Sequence, residues 1–383
     1  MPTKPQVLLA IMTDLSMDYR CYKEAVSLSQ AGFEPIILCD KPLHALGSVW
    51  KGMRIRELTP ISHLRHFALA FLWFHIRLIG VLLFTRSKYW ISLDCAPLLT
   101  LGLMGKLRGA TVVYDSHELF TQTPMVLSRP GRRRFWTFWH DFGLRFVPRV
   151  TVVSPSFIEW FQSRFPKHRY LLLPNAPPLQ NPPPIIPGPR PGETVRLIYQ
   201  GGLRHGSGLL ETVQALKSWR PGALQVYGKG PERAALDTLI AEGQLASRVI
   251  FHGQVPFEAL KEPMIQSHIG LNLVQPICGN FALTLANKLF DYIHVGLPVL
   301  LSDNPAHRAF LKENPVGLAV DSFSPQAIAE GLQALTDHWE SYHAACLKAR
   351  EHWHWQGFAR ELPAFLIRPL HELPAVTPAD GVS

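Results

Sequence analysis

Short apolar runs alternate with longer amphipathic stretches along most of the chain. In the first half the apolar runs are QVLLAIM, PIILC, YWISL, ATVVYD and RVTVVS, and a helical pattern covers residues 22–31. Short, continuous apolar runs are typical of strands buried on both faces of a parallel sheet. The pattern therefore predicts an N-terminal α/β domain built from repeated β–α units.

A proline-rich stretch interrupts this alternation. Residues 174–191, PNAPPLQNPPPIIPGPRP, contain nine prolines in 18 positions. Proline lacks the N–H group that a helix or a central strand needs, so the stretch is expected to be stiff and extended. We therefore predict an N-terminal domain over residues 1–175 and a linker over residues 176–194.

The alternation restarts after the linker. The apolar runs RLIYQGG, ALQVYGKG, RVIFHG, HIGLNLV and PVLLS are separated by helical patterns over residues 209–218, 232–242, from Phe257, and 285–295. They predict a second Rossmann-like, doubly wound parallel-sheet domain over 195–352, then a closing helix over 353–370 and a disordered tail over 371–383. Because ligands bind at the carboxyl ends of parallel strands, the loops QGGLRHGSG, GKGPE, HGQVP and QPICGNFALT are expected to converge.

Charge is distributed unevenly between the two halves. Lys and Arg outnumber Asp and Glu by 22 to 11 in residues 1–175, whereas the rest of the chain holds 16 against 18. A basic half indicates contact with an anionic membrane or a phosphate-bearing acceptor, and no nucleic-acid-binding motif accompanies it. The five cysteines have no metal-ligand spacing and the N-terminus has no signal-peptide cleavage site, which indicates a cytoplasmic location and no metal site.

One apolar segment, residues 64–84, approaches the length of a membrane span. Arg65, His66, His75 and Arg77 interrupt it, and a charge near the middle of a bilayer costs about 2.5–3.5 kcal/mol. Three alternatives follow: a buried or partly exposed amphipathic helix, a helix in the membrane interface, and a true span, which the charges disfavour.

A basic aromatic cluster lies further along the same half. The arginines from Arg132 to Arg134 are followed by Phe135, Trp136 and Trp139. Such a cluster is typical of peripheral contact with anionic headgroups. A solvated charged face beside core aromatics is the alternative.

The strongest candidate for chemistry is LANKLFDYIHVGLPVLLSD, in which a predicted helix carrying Asn287, Lys288 and Asp291 ends at Gly296. Spacings of three and four residues make these side chains neighbours on one helical face. A carboxylate accepts hydrogen bonds from a ribose diol, and an ammonium group attracts phosphates. The segment therefore indicates a nucleotide site, with a surface ion pair as the alternative.

This segment resembles the donor-site signature of the retaining two-Rossmann-domain (GT-B) glycosyltransferases called group 1 or family 4. The stretches DYRCYKEAVSLSQAGFEPIIL, VVYDSHELF, TVVSPS, LPNAP and WHWQGF also resemble that family's patterns, in the same order. The resemblance implies two Rossmann-like domains facing a cleft, with an acceptor bound by the first and a nucleoside-diphosphate-sugar donor bound by the second. It also implies a transfer that needs no metal and no cofactor.

The resemblance assigns Asp291 to the ribose, at a position where glutamate is usual. Eight residues earlier, where the better-known branch has a glutamate that contacts the donor sugar, this chain has Leu283. We expect Asn280 and the backbone N–H groups of residues 281–284 to replace that glutamate.

The glycine-rich loop QGGLRHGSGLLE, with Gly201 and Gly202, is the second candidate. It precedes a predicted helix whose N-terminal N–H groups and dipole attract an anion. In the family an Arg and a Lys near this loop hold the diphosphate, and Gly202 and Ser207 stand at their positions here. The positive charge is then expected from Arg204, Lys288 and Lys229, although for Lys229 a solvated turn is the alternative.

Candidates for the acceptor side lie after strands of the first half. His117, next to Asp115, is placed to hydrogen-bond a donor sugar or an acceptor hydroxyl, with Glu118 orienting it. The alternative is helix capping by Asp115 or Ser116. Further candidates are Asp94, in SLDCAPL, and Asp18 and Arg20, which either face phosphates or pair with each other.

These observations predict a glycosyltransferase that moves a sugar to a lipid or polysaccharide precursor of the cell envelope with retention, using His117, Glu118 and Asn280 in catalysis. A catalytically silent nucleotide-sugar-binding subunit and a nucleotide-sugar epimerase are alternatives. A nicotinamide dehydrogenase is disfavoured, because neither half opens with GxGxxG followed by an acidic residue about 20 positions later.

Overall fold

The computed structural model describes residues 4–13, 15, 18–40, 50–59 and 67–377. The chain divides into two units, Met1–Asn175 with Gln356–Ser383, and Ala176–Trp355. Arg65 and His66 of the apolar segment and residues 378–383 of the predicted tail lie outside the described residues.

Most strands in the described part of the first 172 residues are followed by a helix, as the apolar runs predict. The elements are β1 Gln6–Ala10, α1 Tyr19–Gln30, β2 Glu34–Asp40, β3 Arg54–Thr59, α2 Phe67–Phe84, β4 Tyr89–Ser92, α3 Cys95–Arg108, β5 Thr111–Ser116, α4 Pro124–Leu127, α5 Pro130–Leu144, β6 Arg149–Val152, α6 Pro155–Arg164 and β7 Arg169–Leu172.

The same alternation continues after the proline-rich stretch. The elements are β8 Val195–Gln200, α7 Leu209–Ser218, β9 Gly222–Tyr227, α8 Arg233–Glu242, β10 Val249–Gly253, α9 Lys261–Ile265, β11 Ile269–Asn272, α10 Gly279–Leu283, α11 Asn287–Val295, β12 Val299–Ser302, α12 Pro305–Glu313, β13 Gly317–Val320, α13 Pro325–Asp337, α14 Trp339–Ala349, α15 Trp355–Ala359, α16 Leu362–Ile367 and β14 Val376–Thr377.

Each unit contains one parallel sheet. The strand order is β14-β7-β6-β5-β4-β1-β2-β3 in the first unit and β10-β9-β8-β11-β12-β13 in the second. The direction of winding reverses between β1 and β4, and again between β8 and β11. The predicted fold class of two doubly wound, Rossmann-like parallel sheets is confirmed, and the reversal points are where such sheets bind ligands.

The predicted linker packs on the second unit. The backbone N–H of Trp355 donates to the Pro177 carbonyl oxygen at 3.0 Å, and Lys261 donates to the Gln180 side chain at 2.7 Å. The Arg350 guanidinium donates to the Gln180 carbonyl oxygen. The stretch is extended, as its prolines require, and these contacts hold it in place.

The C-terminal residues return to the first unit. The predicted closing helix consists of two short helices, α15 and α16, and Arg149 at the start of β6 donates to the carbonyl oxygens of Phe365 and, at 2.6 Å, Arg368. The prediction of a disordered tail is wrong for residues 371–377, because β14 pairs with β7 and places Val376 opposite Tyr170.

Candidate functional sites

The first site lies at the reversal point of the second sheet. Gln200 is the last residue of β8, and its side-chain amide donates to the Asp291 carboxylate at 2.7 Å. Both residues are only 5% exposed, and the Tyr292 hydroxyl accepts from the Gln200 backbone N–H at 3.2 Å. Asp291 is therefore held against the end of a central strand, and the alternative of a surface ion pair is wrong.

Lys288 lies close enough to interact with the charges of both Asp291 and Arg204, and each of the two cations lies against an aromatic ring. The Lys288 ammonium is 4.0 Å from the centre of the Tyr199 ring, and the Arg204 guanidinium is 4.7 Å from that of Phe281. Burial, with the nearby charge of Arg204, lowers the pKa of Lys288 to about 7, and Asp291 opposes this shift only in part. An anion bound here would restore the charge of Lys288.

Close backbone contacts hold the glycine-rich loop to the next strand end. Gly201 donates to the Tyr227 carbonyl oxygen at 2.9 Å, and Leu203 donates to that of Lys229 at 3.1 Å. A side chain at Gly228 would put its Cβ 1.8 Å from the Gly201 carbonyl oxygen. Only glycine fits there, because any larger residue would force the two loops apart.

We expect Gly228→Ala to destabilise the protein by about 2–3 kcal/mol, through the overlap and its positive φ of 151°. Gly253→Ala is the matched control, because φ is also positive there, 72°, and the new Cβ would meet nothing within 4 Å. Urea unfolding of both variants measures the difference. If both variants lose the same free energy of unfolding, the close contact between the two loops is not the reason for glycine at this position.

The other predicted donor residues have different surroundings. Asn280 is 4% exposed in α10, whereas Asn287, Lys229 and Gly202 are exposed. The N–H groups of Ala282 and Thr284 donate to carbonyl oxygens of Cys278 and Asn280, at 3.0 and 3.1 Å. These two N–H groups are used within the short helix, so the predicted replacement of the glutamate by backbone N–H groups is wrong for residues 282 and 284.

A buried charged cluster lies near the carboxyl ends of β5 and β6 in the first sheet. Arg20 in α1 donates to both carboxylate oxygens of Asp115, at 2.6 and 2.7 Å, and to the Leu173 carbonyl oxygen at 2.9 Å. Glu24, one turn later, is 3.2 Å from the Arg20 guanidinium. Thr151, opposite Asp115 in the sheet, also donates to that carboxylate.

His117 lies at the exposed edge of this cluster. Its Nδ1 atom is 3.5 Å from Asp115, and its side chain is 33% exposed. Burial alone would lower the pKa of His117, but Asp115, with smaller contributions from Asp18 and Asp94, raises it to about 9. The imidazole is therefore a cation at neutral pH and can donate to an anion or to a hydroxyl oxygen.

Most of the neighbouring candidates form helix caps or salt bridges within the first unit. The Asp18 carboxylate caps α1 by accepting from Cys21, and Asp94 caps α3 by accepting from Cys95. Arg20 is 5% exposed and forms salt bridges with Glu24 and Asp115, and its charge also interacts with that of Asp18. Glu118 is exposed. The capping alternative for Asp115 is wrong, because its carboxylate binds Arg20.

Sequence reasoning missed Gln200, Tyr199, Phe281, Glu24 and Thr151. Two of them carried a usable signal, because Gln200 directly precedes the glycine-rich loop and Glu24 is four residues after Arg20 on one helical face. The others join their sites through strand pairing or through contacts between distant segments, which no local pattern reports.

Comparison with known proteins finds a family match in the second unit and a similar fold over both units. Residues 194–338 match the family model described as "Glycosyl transferases group 1", and no curated protein matches the sequence significantly. Sucrose-phosphate synthase from Thermosynechococcus elongatus is similar in structure, with a TM-score of 0.74 and 16% identity over 94% of this chain and 98% of that one.

Two further solved structures are similar. WaaG, a glycosyltransferase involved in lipopolysaccharide biosynthesis, has a TM-score of 0.68 and 14% identity, covering 95% of this chain and 100% of its own. Anabaena Alr3699/HepE in complex with UDP has a TM-score of 0.69 and 10% identity, covering 94% and 98%. The chain therefore carries a group 1 glycosyltransferase domain in its second unit, and its two units have the parallel-sheet folds of the GT-B glycosyltransferases.

Proposed function

We propose that this protein transfers a sugar from a nucleoside-diphosphate-sugar to a lipid or polysaccharide precursor of the cell envelope, with retention of configuration. The observation that carries the proposal is a held carboxylate, Asp291, at the reversal point of the second sheet, with Lys288 interacting with its charge and with that of Arg204. All three residues lie inside the segment that matches the group 1 family.

The proposed division of labour follows from charge. Asp291 accepts hydrogen bonds from the ribose diol, and Lys288 and Arg204 neutralise the diphosphate, with Lys229 and Asn287 at the exposed edge. Negative charge develops on the diphosphate as the bond to the sugar breaks, so the cations favour the transition state over the bound donor. Uridine diphosphate is the first nucleotide to test, because the structurally similar HepE is complexed with UDP.

The first unit supplies the acceptor side in this proposal. His117 is protonated at neutral pH and donates to an oxygen of the sugar or of the acceptor, while Glu118 remains available beside it. Arg20 has an indirect role: it positions Asp115, and the Asp115 carboxylate keeps His117 protonated. In the retaining reaction the acceptor attacks the face from which the diphosphate leaves, and its proton passes to the departing phosphate. No metal or cofactor is required by this scheme.

We further propose that the protein works in the cytoplasm, at the inner face of the membrane, where such an acceptor is found. The arginines of the basic aromatic cluster support peripheral contact with anionic lipid. A catalytically silent donor-binding subunit is the second candidate, because Leu283 and Gly202 replace residues that the family uses. Release of nucleoside diphosphate that depends on a lipid-extract acceptor would exclude it.

Ligand-induced stabilisation tests the donor site without any acceptor. Titration with UDP, GDP and ADP, followed by thermal unfolding, is expected to raise the Tm with one of them; a concentration of 100 times Kd corresponds to about 2.7 kcal/mol. No shift with any nucleoside diphosphate at millimolar concentration would contradict the proposed function.

Donor affinity should fall as the pH rises above 7. The pKa of Lys288 is about 7 in the free protein, and a bound diphosphate raises it. Below pH 7 Lys288 is already protonated. Above pH 7 it has to take up a proton when the diphosphate binds, which weakens binding. We expect the Kd to rise about three- to tenfold per pH unit between 7 and 9. Lys288→Arg, which stays charged, should flatten the profile; an equal slope in both proteins would assign the titration to another group.

A further inference from the structure

The longest apolar helix of the first unit is largely exposed. Among the described residues, α2 is the one helix with the length and composition to cross a membrane, and only 22% of it is buried. Its buried residues are Phe74, His75, Leu78 and Leu82. The large apolar residues exposed on the rest of its surface are Phe67, Leu69, Leu72, Trp73, Ile76, Ile79, Leu83 and Phe84.

This exposure separates the alternatives that the sequence leaves open. A core helix would be buried on most sides, and soluble monomers rarely leave an apolar surface of this extent in water. A single helix that crossed the membrane apart from the fold would have lipid on all sides. In contrast, α2 is bonded to the fold, because His75 forms a 2.8 Å hydrogen bond with Thr100 in α3. The helix is therefore attached to the fold along one side, and no other described residue covers its opposite apolar face, about 27 Å long at 1.5 Å per residue.

Aromatic residues of α5 pack against α2, and Arg133 and Arg134 of the same helix are exposed. The Phe71 ring of α2 lies 5.1 Å from Trp139 and 6.0 Å from Phe135, centre to centre. Phe138, next along α5, is 61% exposed. Within the described residues Arg133 and Arg134 form no ion pair, and they line an open groove of about 890 Å³ together with Arg145 and Phe142.

We propose that α2 lies in the plane of the membrane interface, with its exposed apolar side chains at the acyl boundary and the α5 arginines at anionic headgroups. The inference deepens the membrane contact proposed above by naming its anchor. A helix of this kind is held chiefly by apolar burial, and anionic lipid adds to it.

Charge favours a membrane over a second copy of the chain. Arg77 is the one Lys, Arg, Asp or Glu residue of α2 and is exposed, and the groove on α5 is lined by Arg133, Arg134 and Arg145 against one acidic residue, Asp141. A two-fold interface buries the same surface of both copies, so it would bring the excess of cations from both copies together. An anionic bilayer satisfies both the apolar face and the cations.

Vesicle sedimentation of the full chain tests the anchor. Wild type is expected to bind phosphatidylcholine vesicles, more tightly when they contain phosphatidylglycerol, and to stay partly bound in about 1 M NaCl, where surface charges are screened. Leu72→Glu with Ile76→Glu should weaken partitioning about 100-fold in both lipids. Ile250→Glu with Phe257→Glu, at exposed apolar positions of the second unit, is the control and should bind as wild type does.

A second pair of substitutions separates apolar from electrostatic contact. Arg133→Gln with Arg134→Gln should weaken binding to anionic vesicles several-fold and leave phosphatidylcholine binding unchanged. The anchor proposal is overturned if wild type binds neither vesicle, if the α2 variant binds as well as wild type, or if that variant only converts a dimer to a monomer in sedimentation velocity. Nucleotide-induced Tm shifts in the same variants report on the donor site separately, so failure of one proposal is distinguishable from failure of the other.

Discussion

Asp291→Ala is expected to raise the Kd for the nucleoside diphosphate about 100-fold, as measured by calorimetry or by Tm shifts. The substitution removes an ionised acceptor that Gln200 holds at 2.7 Å, and loss of charge-assisted hydrogen bonds to a diol costs about 3 kcal/mol in total. Asp291→Asn keeps the shape and removes the charge, so it should also bind weakly.

Two comparisons sharpen this result. Asp237→Asn, in an exposed pair with Arg233, should leave the Kd unchanged. Gln200→Ala should weaken binding less than Asp291→Ala does, because it removes only the group that orients the carboxylate. Unaltered affinity in Asp291→Ala would remove the ribose assignment, whatever the activity of the variant.

Asp115→Ala is expected to lower the free energy of unfolding by about 3–5 kcal/mol, because it leaves the buried Arg20 guanidinium without its bidentate partner. Asp237→Ala is the control. Asp237 pairs only with Arg233 among the described contacts, and their side chains are 52% and 49% exposed, so its loss should cost less than about 1 kcal/mol. Denaturant unfolding at pH 7 measures both, and similar losses would show that the buried pair is not special.

The same cluster makes the free energy of unfolding fall at both low and high pH. Arg20 and His117 outweigh the effect of burial and hold the pKa of Asp115 well below its usual value, so its contribution is present above about pH 4 and lost as the pH falls. His117 has its pKa raised to about 9, so its contribution is complete below about pH 6.5 and lost as the pH rises through 9. In Asp115→Asn both effects should shrink, and NMR titration should show the pKa of His117 move toward 6.5.

Local patterns identified ten of the fourteen strands that the structure describes and the segment that carries the donor candidates. The helix predicted over residues 209–218 matches α7 residue for residue, and Gly296 ends α11 in the left-handed conformation. Four strands were missed. β3 and β13 lie at sheet edges, β14 contains just two residues, and β7 is next to the edge strand β14.

The sequence predicted where the candidate residues of each site lie along the chain, but not which residues they contact. The ends of β8 and β5 follow from the order of apolar runs, so Asp291, Lys288 and His117 could be proposed as candidates. Which of them is buried, and by which partner, depends on segments far apart in sequence. Gln200 and Asp291 are 91 residues apart, and Arg20 and Asp115 are 95 apart.

The sequence by itself determined the alternation of strands and helices, the division near the prolines, and the resemblance centred on Asn287–Asp291. These features are local, because apolar periodicity, proline and side-chain spacing act over a few residues. The tertiary structure alone decided that Arg20 neutralises Asp115, that Asp291 is held by Gln200, and that α2 keeps an apolar face exposed. Burial and charge pairing depend on what the fold brings alongside a residue, and that information is not contained in the residue's own segment.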